Sequence, residues 1–112
     1  MKGRELANFI VKIIRDKKGR DIKIINVKDF AILTDYFIIS TVEVPEHGKA
    51  IKEEIEKRLK FQDNLVWSVE RDKSGLWIVL DFGSVIVHMM TEEKRTFYEI
   101  ERLWEKKEPL ST

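Results

Sequence analysis

Cysteine is absent from the 112 residues of this chain. That excludes a disulfide framework, a thiol nucleophile and any cysteine-based metal centre. The five glycines are scattered, so there is neither a Walker loop nor a dinucleotide-type Gly-rich turn. No apolar run approaches the ~20 residues that a membrane helix needs. The opening Met-Lys-Gly-Arg-Glu-Leu is not a signal peptide, because Lys12 interrupts the short apolar run behind it. The expectation is a soluble cytoplasmic protein, with one domain over residues 1–112 and one core.

Hydrophobic residues make up 43% of the chain, which is enough to fold. Charged residues make up 37% and glutamine occurs once, a slant toward thermophilic composition. The net charge is only +1, but it is unevenly spread. Residues 1–28 hold nine Lys/Arg against three Asp/Glu; residues 29–112 hold twelve against seventeen. A basic amino-terminal quarter suits a solvated helix face or a contact with phosphates.

Leu6, Phe9, Ile10, Ile13 and Ile14 recur with helical spacing, and Gly19 is placed to end that helix. Arg4, Lys12 and Arg15 fall off the stripe. Ile22 to Val27 reads as a strand. Asp29 to Thr34 leads to a second strand, Tyr36 to Thr41, whose continuous apolar character predicts a central place covered on both faces. Thr34 and Asp35 can bind backbone N–H groups at its start. Pro45 suits the first turn of a second helix, which carries Ile51, Ile55 and Leu59 and runs to Phe61. Leu65 to Glu70 is a third strand. The last helix is predicted from Glu92 to about Lys106. Phe97, Ile100, Leu103 and Trp104 face inward, and Thr91 is the N-cap.

Between these lies the stretch that organises the chain, Trp77 to Tyr98. Two β-branched runs flank Asp81-Phe82-Gly83-Ser84, which predicts a hairpin followed directly by the helix. Pairing Leu80 with Val85 puts Ile78, Leu80, Val85, Val87 and Met89 on one aliphatic face. Trp77, Val79, Asp81, Ser84, Ile86, His88 and Met90 fall on the other. That mixed face suits a partner surface, left open by the helices. Tyr98 lies beside the helix stripe, where its hydroxyl can reach the same surface.

Catalytic signals are weak. Asp81-Phe82-Gly83 matches a kinase magnesium motif by three residues only, without the rest of that signature. His88 has no ligand-spaced companion, and its place between Val87 and Met89 fits an interface histidine better than a general base. His47 reads as solvated. Asp35, Glu70 and Asp81 do not form the Asp-x-Asp or Asp-x-Glu pair that a metal-dependent nucleotidyl-transfer site needs. No cofactor is implied.

Three blocks carry a family resemblance. Thr34-Asp35-Tyr36-Phe37-Ile38-Ile39-Ser40-Thr41 resembles one signature of the ribosomal silencing factor, or Iojap, family. The stretch from Trp77 to His88 resembles a second, and Phe97-Tyr98-Glu99-Ile100-Glu101-Arg102-Leu103-Trp104 a third. Their spacing agrees over nearly the whole chain. The resemblance implies an α/β fold with a mixed five-stranded sheet and three helices. Its topology would be nucleotidyltransferase-like without the catalytic carboxylates. It implies no enzyme activity. It implies binding to protein fourteen of the large-subunit series at the intersubunit face, blocking subunit joining and repressing translation. It also implies a homodimer when free, with ribosomal RNA contact by the basic first helix as a further expectation. The contact residues carried over are Trp77, Asp81, Phe82, His88, Met90 and Tyr98. Val42 to Gly48 departs from the family's Ser/Thr-rich turn, and Ser84 stands where an acidic residue is common. A metal-dependent nucleotidyltransferase-like enzyme and a plain dimerisation module are the alternative readings.

Overall fold

The computed structural model describes residues 1–32, 34–60, 68–71 and 74–105. The order of elements is α1 (Gly3–Asp16), β1 (Arg20–Asn26), β2 (Tyr36–Val42), α2 (Pro45–Lys60), β3 (Ser68–Arg71), β4 (Trp77–Asp81), β5 (Val85–Thr91), α3 (Glu92–Tyr98) and α4 (Ile100–Glu105). The strands form one mixed sheet in the order β1-β2-β5-β4-β3. Only β2 and β5 run parallel; the other neighbours are antiparallel.

The α1 helix forms because its apolar residues share one face. Leu6, Ala7, Ile10, Ile13 and Ile14 are all buried. It ends after Asp16 in two backbone bonds, Gly19 N–H to Ile14 C=O and Lys18 N–H to Arg15 C=O. This is the double closure of a Schellman turn. Lys18, not Gly19, takes the left-handed position, at φ 71°. Gly19 is required for space instead: a Cβ there would collide with the Ile14 side chain.

The β2 strand is buried along its whole length, as its continuous apolar run predicts. The β4–β5 hairpin pairs Asp81 with Ile86 and Leu80 with Val87. This corrects the Leu80–Val85 pairing by two residues. A shift of two keeps every side chain on its face. The predicted split therefore holds: Ile78, Leu80, Val85, Val87 and Met89 all enter the main core under α1 and α2. At the tip, Gly83 adopts φ 85° and its N–H donates to Asp81 Oδ1 at 2.8 Å. Ser84 Oγ accepts from Gly3 N–H at 2.9 Å, tying the start of α1 to this turn.

The last helix departs from expectation. Glu99 takes a left-handed conformation, at φ 45°, and divides it into α3 and α4. The stripe Phe97–Ile100–Leu103 is thereby broken. Ile100 packs under the sheet, whereas Phe97 and Leu103 are 77% and 59% exposed. The Trp104 side chain lies outside the described residues, as do Lys106, Phe61 and residues 65–67 of the predicted third strand. Thr91 makes no side-chain capping bond. Alternation along β5 turns its side chain toward the Met89 face, so its hydroxyl is buried away from the helix amides.

Helices cover both faces, so the mixed face is not left wholly open as expected. α3 and α4 lie against β1, β2 and β5 on the side opposite α1 and α2. They close a second, smaller core of Ile25, Val27, Phe37, Ile39 and Met90. Beyond it, Trp77, Val79, Asp81 and Ile86 are only half-buried.

Candidate functional site

The mixed face of the hairpin is organised as a row of rings. Phe37 and His88 have centroids 5.1 Å apart, His88 and Trp77 6.0 Å, Trp77 and Tyr98 4.9 Å, and Tyr98 and Phe97 4.9 Å. β2 supplies the buried end, β4 and β5 the middle, and α3 the outer end. Exposure rises along it: Phe37 is buried, Trp77 is half-buried, and Tyr98 and Phe97 stand 44% and 77% exposed. The outer end is thus a stiff aromatic ledge backed by core.

His88 fixes the middle of the row. Its Nδ1 accepts the Trp77 indole N–H at 3.2 Å. The proton of the neutral ring is then on Nε2, which is buried without a partner among the described residues. Burial pushes the imidazole pKa down to about 4, so the ring is neutral near pH 7. A buried, neutral histidine that orients a tryptophan is a positioning residue.

The six carried-over contact residues separate in space. Trp77 and Tyr98 reach the surface side by side. His88, at 9% exposure, lies beneath Trp77 rather than open to a partner. Met90 is fully buried in the second core, and Phe82 is buried in the main core. Both are corrected from contact to support. Met90 is paired with Trp77 across the hairpin, directly under α3 and α4; Phe82 folds inward from the tip. Asp81 is half-buried, and one of its oxygens is engaged in the turn.

Phe97 and Leu103 belong to the exposed surface but were expected to face inward. Only the break at Glu99 turns them out. Tyr98 and Leu103 line an open hollow of about 260 Å³ with Glu99 and Arg102. Beside it, Arg95 forks onto Glu101, with its closest N–O distance 2.7 Å, and donates to Thr41 Oγ1 at 2.9 Å. The Arg95 hydrogen bond and then its charge hold the Glu101 carboxyl below the usual range.

His47 is not simply solvated. Its Nδ1 accepts the Glu43 N–H at 3.0 Å and its Nε2 meets the Lys17 carbonyl at 2.7 Å. It clamps the start of α2 to the end of α1, in the atypical Val42–Gly48 turn.

Among the described residues, no three His, Asp or Glu side chains converge as a metal site. No described helix is long and apolar enough to cross a membrane. Fold and site together define a small α/β module that presents an aromatic ledge. The chain belongs to the ribosomal silencing factor family: the model for "Ribosomal silencing factor during starvation" matches residues 1–112. It is 28% identical over 104 residues to the ribosomal silencing factor RsfS of Halalkalibacterium halodurans, covering 93% of this chain and 89% of that protein. It is 32% identical over 100 residues to the mitochondrial assembly of ribosomal large subunit protein 1 of Mus musculus, covering 87% of this chain and 44% of that protein. A crystal structure from Chromobacterium violaceum superposes with a TM-score of 0.88 at 28% identity, covering 97% of this chain and 91% of that one.

Proposed function

We propose that this chain is a ribosomal silencing factor that acts on the large subunit by occupying space. The ledge of Trp77, Tyr98 and Phe97 docks on protein fourteen of the large-subunit series, at the intersubunit face. The body of the domain then blocks joining of the small subunit and lowers translation in the cytoplasm. No bond is made or broken; the sheet is a nucleotidyltransferase-like scaffold used for binding. The observation that carries this reading is the half-exposed aromatic row, held rigid from below by His88 and Met90. Rigid aromatic anchors with a buried base are what dominates interface energetics. The basic first helix adds contact to ribosomal RNA.

The exposed Phe97 and Leu103 favour a second use of the same face, as the contact of a homodimer when the protein is free. Both uses are tested by sedimentation. Purified protein is spun with separated large subunits, and alone at several concentrations. Trp77→Ala and Tyr98→Ala should abolish pelleting with large subunits while circular dichroism stays native. Undiminished pelleting of both variants would remove the ledge from the interface. Loss of self-association without loss of pelleting would assign the ledge to the dimer alone.

A further inference from the structure

We propose that Arg4 and Lys28 form a bracket for RNA phosphates at the hairpin-tip end of the sheet. The inference rests on the ribosome-docking reading and locates its nucleic-acid contact. Tyr36 opens β2, opposite Val85, and its ring is buried in the main core. The Arg4 guanidinium lies 5.7 Å from the centre of that ring, and the Lys28 ammonium 5.1 Å. One cation comes from the first turn of α1 and the other from the segment after β1. Distances of 5.7 and 5.1 Å to one centroid keep the two charges within about 11 Å of each other.

Both side chains are exposed. Among the described residues, neither has a carboxylate within ion-pair distance, although Glu5 and Asp29 follow them directly in the chain. Asn8 Oδ1 takes the Arg4 Nε–H at 3.2 Å, and no described residue takes its terminal nitrogens. Two exposed cations are thus held together on one aromatic body. They carry part of the excess of nine basic over three acidic residues in positions 1–28. The buried Tyr36 ring offers no platform for a base to stack on. The contact is therefore to backbone phosphates, independent of sequence and sensitive to salt. Asp81 at the tip and Trp77 are four residues apart on β4, about 13 Å. The bracket and the aromatic ledge are therefore separable by mutation.

The test compares wild type with Arg4→Gln/Lys28→Gln, and with Lys12→Gln/Arg15→Gln as a control elsewhere on α1. Each is titrated with a labelled RNA hairpin and with purified large subunits across 50 to 200 mM salt. Circular dichroism checks the fold. Two lost phosphate contacts should flatten the slope of log affinity against log salt by roughly 1.4 to 1.8. Hairpin affinity at low salt should fall on the order of tenfold, whatever the hairpin sequence, with a lesser effect in the control. Equal slopes for wild type and the bracket variant overturn the proposal, as does an equal loss in the control. So does a polyglutamate peptide that competes as well as RNA, because the bracket would then serve an acidic protein segment. Subunit binding with an unchanged slope removes the bracket and leaves ledge docking intact. A hairpin effect in a protein that never pellets with subunits supports the bracket and removes the docking reading.

Discussion

Lowering the pH from 7 to 4 should strip this protein of stability through one side chain, His88. In the folded chain its pKa is pushed down to about 4 by burial, against the ordinary value of 6.5. Between those two values the unfolded chain binds a proton that the folded chain refuses. Stability therefore rises with pH across that window and is fully present above it. Descending through it, the native state loses about 1.4 kcal/mol per pH unit, so roughly 3 kcal/mol in all. That is a large share of the 5–15 kcal/mol that holds a typical domain together, on the order of a third. The assay is urea unfolding of wild type and His88→Phe at half-unit steps from pH 7.5 to 3.5. Phe keeps a ring between Phe37 and Trp77 but cannot titrate, and it removes the unpartnered Nε2–H. Glu101, whose folded pKa is also depressed, loses its own contribution as pH falls through that pKa, but equally in both proteins. The difference between the two curves isolates His88. It should shift by about 3 kcal/mol in favour of the variant between pH 6.5 and 4. Parallel curves would mean that the imidazole is hydrated or pairs as a cation, and the argument for a buried support under Trp77 would fail.

Arg95→Ala should destabilise by about 1–2 kcal/mol in urea, because it leaves the half-buried Glu101 carboxylate and the buried Thr41 hydroxyl without their partner. A change under about 0.5 kcal/mol would class the pair with ordinary surface bridges. Leu80→Ala removes a fully buried side chain from the main core and should cost about 2–5 kcal/mol, read from the same unfolding curves. Phe97→Ser with Leu103→Ser should leave the unfolding midpoint within about 0.5 kcal/mol of wild type, since both residues face water, while weakening pelleting with large subunits. Gly19→Ala should destabilise by roughly 1–3 kcal/mol through the clash with Ile14; a neutral result would show that the end of α1 can shift to admit a methyl group.

Periodicity alone determined a good deal. Leu6 to Ile14 had to share a helix face, and Ile51, Ile55 and Leu59 another, because those spacings return to one side at 3.6 residues per turn. Alternation along the hairpin separated Ile78, Leu80, Val85, Val87 and Met89 from Trp77, Ile86, His88 and Met90, and an even shift in register left that division intact. The three spaced blocks carried the family resemblance, and the match over residues 1–112 agrees with it. What periodicity cannot give is what covers a face. Only the tertiary structure decided that α3 and α4 cap part of the mixed face, burying Met90 and most of His88 and leaving Trp77 at the boundary. Phe97 and Leu103 looked like core because an unbroken helix would have turned them inward. One left-handed residue, Glu99, undoes that, and no pattern of hydrophobicity records a backbone dihedral. The bracket of Arg4 and Lys28 on Tyr36 was likewise beyond sequence reasoning: it joins three elements that only folding brings together.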